Sequence, residues 1–184
     1  VPAIIRLRLP RFRPALDAHF AGLSAEDLRQ RFCHYIRPEG LTDFLDRLVA
    51  DGVASYGIFD PGLVLVAVCQ CGGSVGELEV GLSVLPPYRR KGLAAALLAR
   101  AASHARARGF GALIVHCLAE NTPMQALARR IGMDIGVSSG EADGRLRLRA
   151  GTALDVWREI AYDQAGIADS VAKSWTGGIK AVPD

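Results

Sequence analysis

Residues 4–9 alternate apolar side chains with arginine, the period-two pattern of a strand with one solvated face. A helical stretch follows over about 11–22, and Ser24 with Asp27 three residues on marks the start of a short second helix. Thr42 is the predicted N-cap of a third helix over 43–50, with Phe44, Leu45 and Leu48 on one side and Asp51-Gly52 at its end. The pattern then becomes β-rich. A strand is predicted over 54–59, a turn at Asp60-Pro61-Gly62, a central strand in the apolar run 63–70, and another turn at Gly72-Gly73. Residues 77–85 alternate: Glu77, Glu79, Gly81 and Ser83 face one way, Leu78, Val80, Leu82 and Val84 the other, until Pro86-Pro87 stops the strand.

Residues 93–108 are rich in alanine and leucine and helical, with Arg100, His104 and Arg108 on one face and Gly109 at the end. A strand is predicted over 112–118. Thr122, Pro123 and Gln125 read as N-cap, first-turn proline and capping-box partner of a helix that reaches Ile131, with Gly132 as C-cap. Segments 133–138 and 145–149 are expected to pair as a hairpin around Asp143-Gly144, and a last helix spans 154–173. There is no internal repeat and no clear linker. The 184 residues fit one domain, with a core over 4–150 and a C-terminal helical extension over 151–184.

Composition narrows the class. With 50% hydrophobic and 22% charged residues the chain belongs with globular rather than disordered sequences. The net charge of +3 comes from arginines spread along the chain, which argues against nucleic acid as a partner and suits an anionic ligand such as a nucleotide cofactor. No apolar run approaches the ~20 residues that span a bilayer, so no membrane partner is expected, and no secretory leader pattern is read. Cys33, Cys69, Cys71 and Cys117 lack the spacing of a zinc site and read as buried reduced thiols of a cytoplasmic protein; no metal is expected.

The chemistry concentrates between Glu79 and Met133. The loop Arg89-Arg90-Lys91-Gly92-Leu93-Ala94 lies between a strand and a helix, where unpaired backbone N–H groups and the helix N-terminus form an anion site suited to a pyrophosphate. Gly92 and Ala94 keep the backbone open to close approach, and Arg90 and Lys91 add charge. Gly136-Val137-Ser138-Ser139-Gly140 matches the Gly-x-Ser-x-Gly of serine hydrolases, but a hairpin rather than a helix follows and no histidine lies after His116. Neither a P-loop nor a dinucleotide-binding glycine pattern occurs.

Val84-Leu85-Pro86-Pro87-Tyr88 with that loop resembles the cofactor motif of the GNAT N-acetyltransferases. Leu118-Ala119-Glu120-Asn121-Thr122-Pro123-Met124, continued by Leu127-Ala128-Arg129-Arg130-Ile131-Gly132-Met133, resembles the family's second motif. The resemblance covers roughly residues 75–135. It implies an α/β (α+β) fold: a mixed, mostly antiparallel sheet of about seven strands with helices on both faces. The fourth and fifth strands would splay apart to admit acetyl-CoA as co-substrate. Its pantetheine arm would then lie along the backbone of Leu82, Ser83 and Val84, with Asn121 in contact. A more distant similarity of residues 20–32 to GNAT domains of bacterial protein-lysine acetyltransferases tilts the acceptor toward protein lysine or a small amine.

The implied reaction is direct attack of an amine on the thioester. Glu79 matches a strand glutamate that serves as base in several members, with Glu77 in reserve. Ala128 stands where many relatives have a tyrosine acid, so water, another group or unaided departure of the thiolate takes its place. His116 near the end of its strand and His34 beside the acceptor pocket read as structural, and Cys117 as core; Tyr35, Tyr56 and Tyr88 are candidates to line the site. The alternative function is a non-catalytic acyl-CoA-binding or sensing module. A homodimer through the last helix stays open.

Overall fold

The computed structural model describes residues 3–8, 11–157, 159–161 and 164. At its centre is a seven-stranded sheet in the order β1-β2-β3-β4-β5-β7-β6. The strands are β1 (Ile5–Arg6), β2 (Ala54–Phe59), β3 (Leu65–Ser74), β4 (Glu77–Val84), β5 (Ala112–Leu118), β6 (Asp134–Ser138) and β7 (Glu141–Arg147). All neighbours are antiparallel except β4 and β5, which run parallel. Connectivity dictates this: tight turns join β2 to β3, β3 to β4 and β6 to β7, whereas β4 reaches β5 through a helical crossover.

Helices cover both faces, as the sequence pattern requires. On one face lie α1 (Arg13–Ala21), α2 (Ala25–Phe32) and α3 (Pro38–Ala50); on the other lie α4 (Leu93–Ala107) and α5 (Thr122–Arg130). Leu16, Phe20, Leu45 and Leu48 close on Leu65 and Val68 to form the first core. Leu97, Leu98 and Ala101 close on Leu78, Val80, Leu113 and Val115 to form the second. Each of these large side chains, taken fully from water, contributes ~1.5–3 kcal/mol. The alternation in β4 thus sends Leu78 and Val80 to α4 and leaves Glu79 and Gly81 on the α1–α3 face. His19, buried in α1, ties the faces' common sheet to that helix. Its Nδ1–H donates to the Leu65 carbonyl and its Nε2 accepts from the Ser83 hydroxyl, both at 2.8 Å.

Four elements differ from the sequence expectation. Helix α3 begins at Pro38 because proline is preset for a first turn; Thr42 lies inside it, and its hydroxyl donates to the Pro38 carbonyl. Strand β3 continues through Gly72 and Gly73, and the reversal falls at Val75-Gly76, with Gly76 at φ 85°. Gly73 is needed because a Cβ there would collide with the Glu77 carbonyl. Helix α5 is capped by Asn121, whose Oδ1 accepts the Met124 N–H at 3.1 Å, one residue before the predicted cap. The last hairpin turns at Ser139-Gly140, where both φ angles are positive (52° and 84°) as the tight turn of a hairpin demands, so Asp143 and Gly144 lie within β7.

Past β7 the chain becomes helical again at residues 153–157 and 159–161; the predicted helix beyond 164 and the first-strand residues 9–10 lie outside the described residues. This segment is fastened to α4 by two carboxylates. Asp155 meets Arg149 and Arg106, and Glu159 meets Arg100 and His104 and accepts from the Tyr56 hydroxyl.

Candidate active site

Strands β4 and β5 pair only at Glu77↔Ala112, Leu78↔Leu113 and Glu79↔Ile114. Beyond Glu79 they diverge, and residues 80–84 of β4 have no strand on that side while β5 continues on β7. The result is the wedge expected between the fourth and fifth strands, with Leu82, Ser83 and Val84 on its edge. The Ser83 hydroxyl is engaged by His19, so Ser83 offers the wedge its main chain. Helix α2 straddles the opening. Asp27 pairs with Arg89 on the β4 side at 2.8 Å, while Arg29 and Gln30 bind Glu120 on the β5 side. The capping box of Ser24 and Asp27 fixes where that helix starts, and so where these side chains stand.

Below the wedge a short 3₁₀ turn, Pro86–Tyr88, leads into the loop before α4. Arg90 and Gly92 are both left-handed, at φ 62° and 79°, which curls the main chain into a concave nest of N–H groups. The N–H groups of residues 90–95 have no backbone acceptor among the described residues; the first helical bond is Ala96 to the Gly92 carbonyl. Nothing lies within 4 Å of a Cβ placed on Gly92, so the space in front of the nest is open. A loop of this shape, continued by Leu93 and Ala94 in the first turn of α4, can receive an anion. Arg89 braces it: its Nε donates to the Val84 carbonyl at 3.0 Å and its other arm binds Asp27. The Lys91 ammonium sits 5.1 Å from the centre of the Tyr88 ring, and Tyr88 itself donates to Asp60 at 2.6 Å. Asn121, across the wedge, has its Oδ1 committed to the α5 cap.

On the α2–α3 face lies a cleft of about 410 Å³, lined in part by Glu79, His116, Glu141, Arg31 and Gln70. Its floor includes main chain, because Gly72 is paired with Glu79 and Gly81 with Gln70. Phe32, Phe44, Leu48 and Val53 form an apolar wall. His116 Nδ1 is 2.5 Å from Asp143 Oδ1, its register partner on β7; this orients the ring and leaves Nε2 without a partner among the described residues. The volume could admit a small ligand, and an apolar wall meets a few convergent polar groups there.

Other candidates fall outside the cleft. Glu77, the reserve base, pairs with Arg145 at 2.5 Å. Tyr56 is wholly buried on the α4 face and bonded to Glu159, and Tyr35 is exposed at 72% beside Arg29. His34 is exposed near the Phe32 ring. Burial pushes the Cys117 thiol up, which disfavours the thiolate a nucleophile needs. Ala128 is buried at 2%, so no acid stands at that position. Among the described residues no His, Cys, Asp or Glu cluster could hold a metal. Arg31, Gln70, Glu141 and Asp143 were not legible as site residues. The one available signal was Gly81, a residue without a side chain on the same strand face as Glu79.

The chain matches the Acetyltransferase (GNAT) family over residues 11–133. It is similar in structure to the GNAT domain of S. lividans PAT, with 17% identity, a TM-score of 0.67 and coverage of 79% of this chain and 89% of that one. The ribosomal-protein-alanine N-acetyltransferase of Brucella melitensis gives 20%, 0.61, and 79% and 99%. The phosphinothricin acetyltransferase of Sinorhizobium meliloti, in complex with acetyl-CoA, gives 16%, 0.61, and 83% and 91%. At these identities the likeness establishes the fold. No curated protein matches the chain at a significant level.

Proposed function

The chain belongs to the GNAT acetyltransferase family, and from that premise we propose that it transfers the acetyl group of acetyl-CoA to a primary amine bound in the cleft beside Glu79. The observation that carries this reading is the continuity of three features. Along the chain, the cleft residues Glu79 to Gly81, the β4 edge over 80–84 that has no strand partner and the loop at 90–95 with its unpaired N–H groups follow one another.

Acetyl-CoA supplies the acyl group as a thioester. The nest N–H groups and the α4 terminus hold its pyrophosphate, with Arg90 and Lys91 adding charge, and the main chain of Leu82, Ser83 and Val84 holds its pantetheine arm beside Asn121. Glu79 takes the proton from the incoming ammonium, so that the neutral nitrogen forms its bond to the carbonyl carbon while the C–S bond breaks. Main-chain N–H groups at the wedge steady the carbonyl oxygen. The acylated nitrogen gives up its second proton to water and the departing thiolate takes one from water, which a thiol with an ordinary pKa of ~8.5 permits. His116 offers a second base in the same cleft, its ring oriented by Asp143.

Release of CoA thiol in the presence of primary amines tests the activity. Glu79→Gln is expected to lower kcat by ~10²–10⁴-fold with unchanged affinity for acetyl-CoA. Full activity of that variant across pH, combined with loss of activity in His116→Gln, would move the base to His116. Binding of acetyl-CoA without transfer to any amine would favour the sensing module.

A further inference from the structure

Arg31 differs from the other arginines around it. Arg13, Arg29, Arg89, Arg100, Arg106, Arg145 and Arg149 each face a carboxylate. Arg31 has none within ion-pair reach among the described residues. Its guanidinium lies against the β4 main chain at Gly81, where any Cβ would overlap it. The Phe32 and Phe44 rings flank it at 5.0 Å and 5.8 Å. Its Nη2 donates to Gln70 Oε1 at 3.0 Å, which fixes the orientation of that amide. Two donors are then left over: Arg31 Nε and Gln70 Nε2 are both buried with no acceptor among the described residues.

Buried donors without acceptors are rare and unfavourable, and a buried cation without an anion more so. Arg31 and Gln70 both line the cleft, and a carboxylate there would give the guanidinium, whose N–H groups form a fork matched to two oxygens, its missing anion. A carboxylate stands close by on β4. Glu79 lies two positions from Gly81 on the same face of β4, about 7 Å along the strand. The cleft thus sets the guanidinium and amide about two strand positions from the Glu79 carboxylate, with Phe44, Leu48 and Val53 beside them, while Glu141, level with Leu118 on β5, lies farther along.

We propose that the acceptor is a free amino acid with an apolar side chain, its carboxylate held by Arg31 and Gln70 and its amino group presented to Glu79. This rests on the reading of the cleft as the acceptor site of an acetyltransferase. A lysine side chain within a protein or a polyamine brings no carboxylate to Arg31 and leaves the guanidinium without an anion.

The test compares L-phenylalanine, L-leucine and L-methionine with their carboxamides, with spermidine and with a lysine-containing peptide, with acetylated product measured by mass spectrometry. The expected result is a kcat/KM for the free amino acids about 100-fold above that for the carboxamides. Arg31→Gln brings that ratio to near one, mainly through KM, with acetyl-CoA affinity by calorimetry unchanged. Arg31→Lys and Gln70→Leu give partial losses, and they carry the test if Arg31→Gln does not fold. Equal use of amino acids and carboxamides by the wild-type protein, or an undiminished preference in the variants, overturns the proposal. Acetylation of spermidine or the peptide but of no amino acid overturns it while leaving the acetyltransferase reading intact. Failure to bind acetyl-CoA and to acetylate any amine overturns both.

Discussion

Glu79, Gly81 and Gly72 show how much of the candidate site depends on single side chains and on their absence. Glu79 brings a carboxylate to the cleft because β4 alternates, and Gly81 leaves room for the Arg31 guanidinium. Gly72, the register partner of Glu79, has nothing within 4 Å of a placed Cβ. A valine there fits the strand and fills the cleft rather than the core. Gly72→Val is expected to change stability by no more than ~0.5 kcal/mol while raising the KM for the acceptor at least tenfold and sparing acetyl-CoA binding. Steady-state kinetics and thermal melts on the same preparation check both halves. Glu79 was singled out in the sequence from its place on the fourth strand, ten residues before Arg89. Arg31 was not, because a cation in an amphipathic helix reads as solvated until the glycine beneath it is seen.

Strands β2 and β5 and the start of β4 were predicted at their observed positions, because strong alternation or continuous apolar runs leave few registers open. Helix starts and turns were less legible. Several residues compete for the same cap, and which wins depends on neighbours distant in sequence: Asn121 takes the cap predicted for Thr122, and Ser139-Gly140 takes the turn predicted for Asp143-Gly144. Arg100 and His104 were recognised as one face of α4, but their partner could not be foreseen, since Glu159 is 55 residues from His104. Burial alone would raise the Glu159 pKa, but the hydrogen bonds from His104 and Arg100 outweigh it and hold the carboxyl at about 2. A depressed carboxylate stabilises the fold fully above its unfolded value of 4.5, and that contribution disappears as pH falls through about 2. Glu159→Ala removes the carboxylate that Arg100 and His104 face and should destabilise the protein by ~3–5 kcal/mol at neutral pH. In urea titrations the difference between wild type and Glu159→Gln is expected to narrow below pH 4.5; a difference independent of pH would show that the carboxylate is not held as charged.

At the scale of the molecule, the parting of β4 from β5 after Glu79 sets both halves of the proposed reaction. It frees the β4 edge for the cofactor arm and places the acidic cleft at the same junction, with α2 spanning the two strands through Asp27–Arg89 and Arg29–Glu120. The mixed sheet with helices on both faces followed from the resemblance of the two motifs, whereas the strand–loop–helix over 77–108 was readable from the residue pattern itself. Ligand linkage makes the cofactor site measurable without the acceptor. Acetyl-CoA at 100 times its dissociation constant should stabilise the fold by ~2.7 kcal/mol.

Isothermal titration with acetyl-CoA, for the wild-type protein and for Gly92→Glu, is the most direct single measurement. Gly92→Glu puts a bulky anion at a left-handed position in the mouth of the nest, at φ 79°. Stoichiometric binding by the wild type, weakened at least 100-fold in a Gly92→Glu protein that still folds, is the expected result. A wild-type protein that does not bind acetyl-CoA, or a Gly92→Glu variant that binds it equally well, would contradict a cofactor site at residues 89–94.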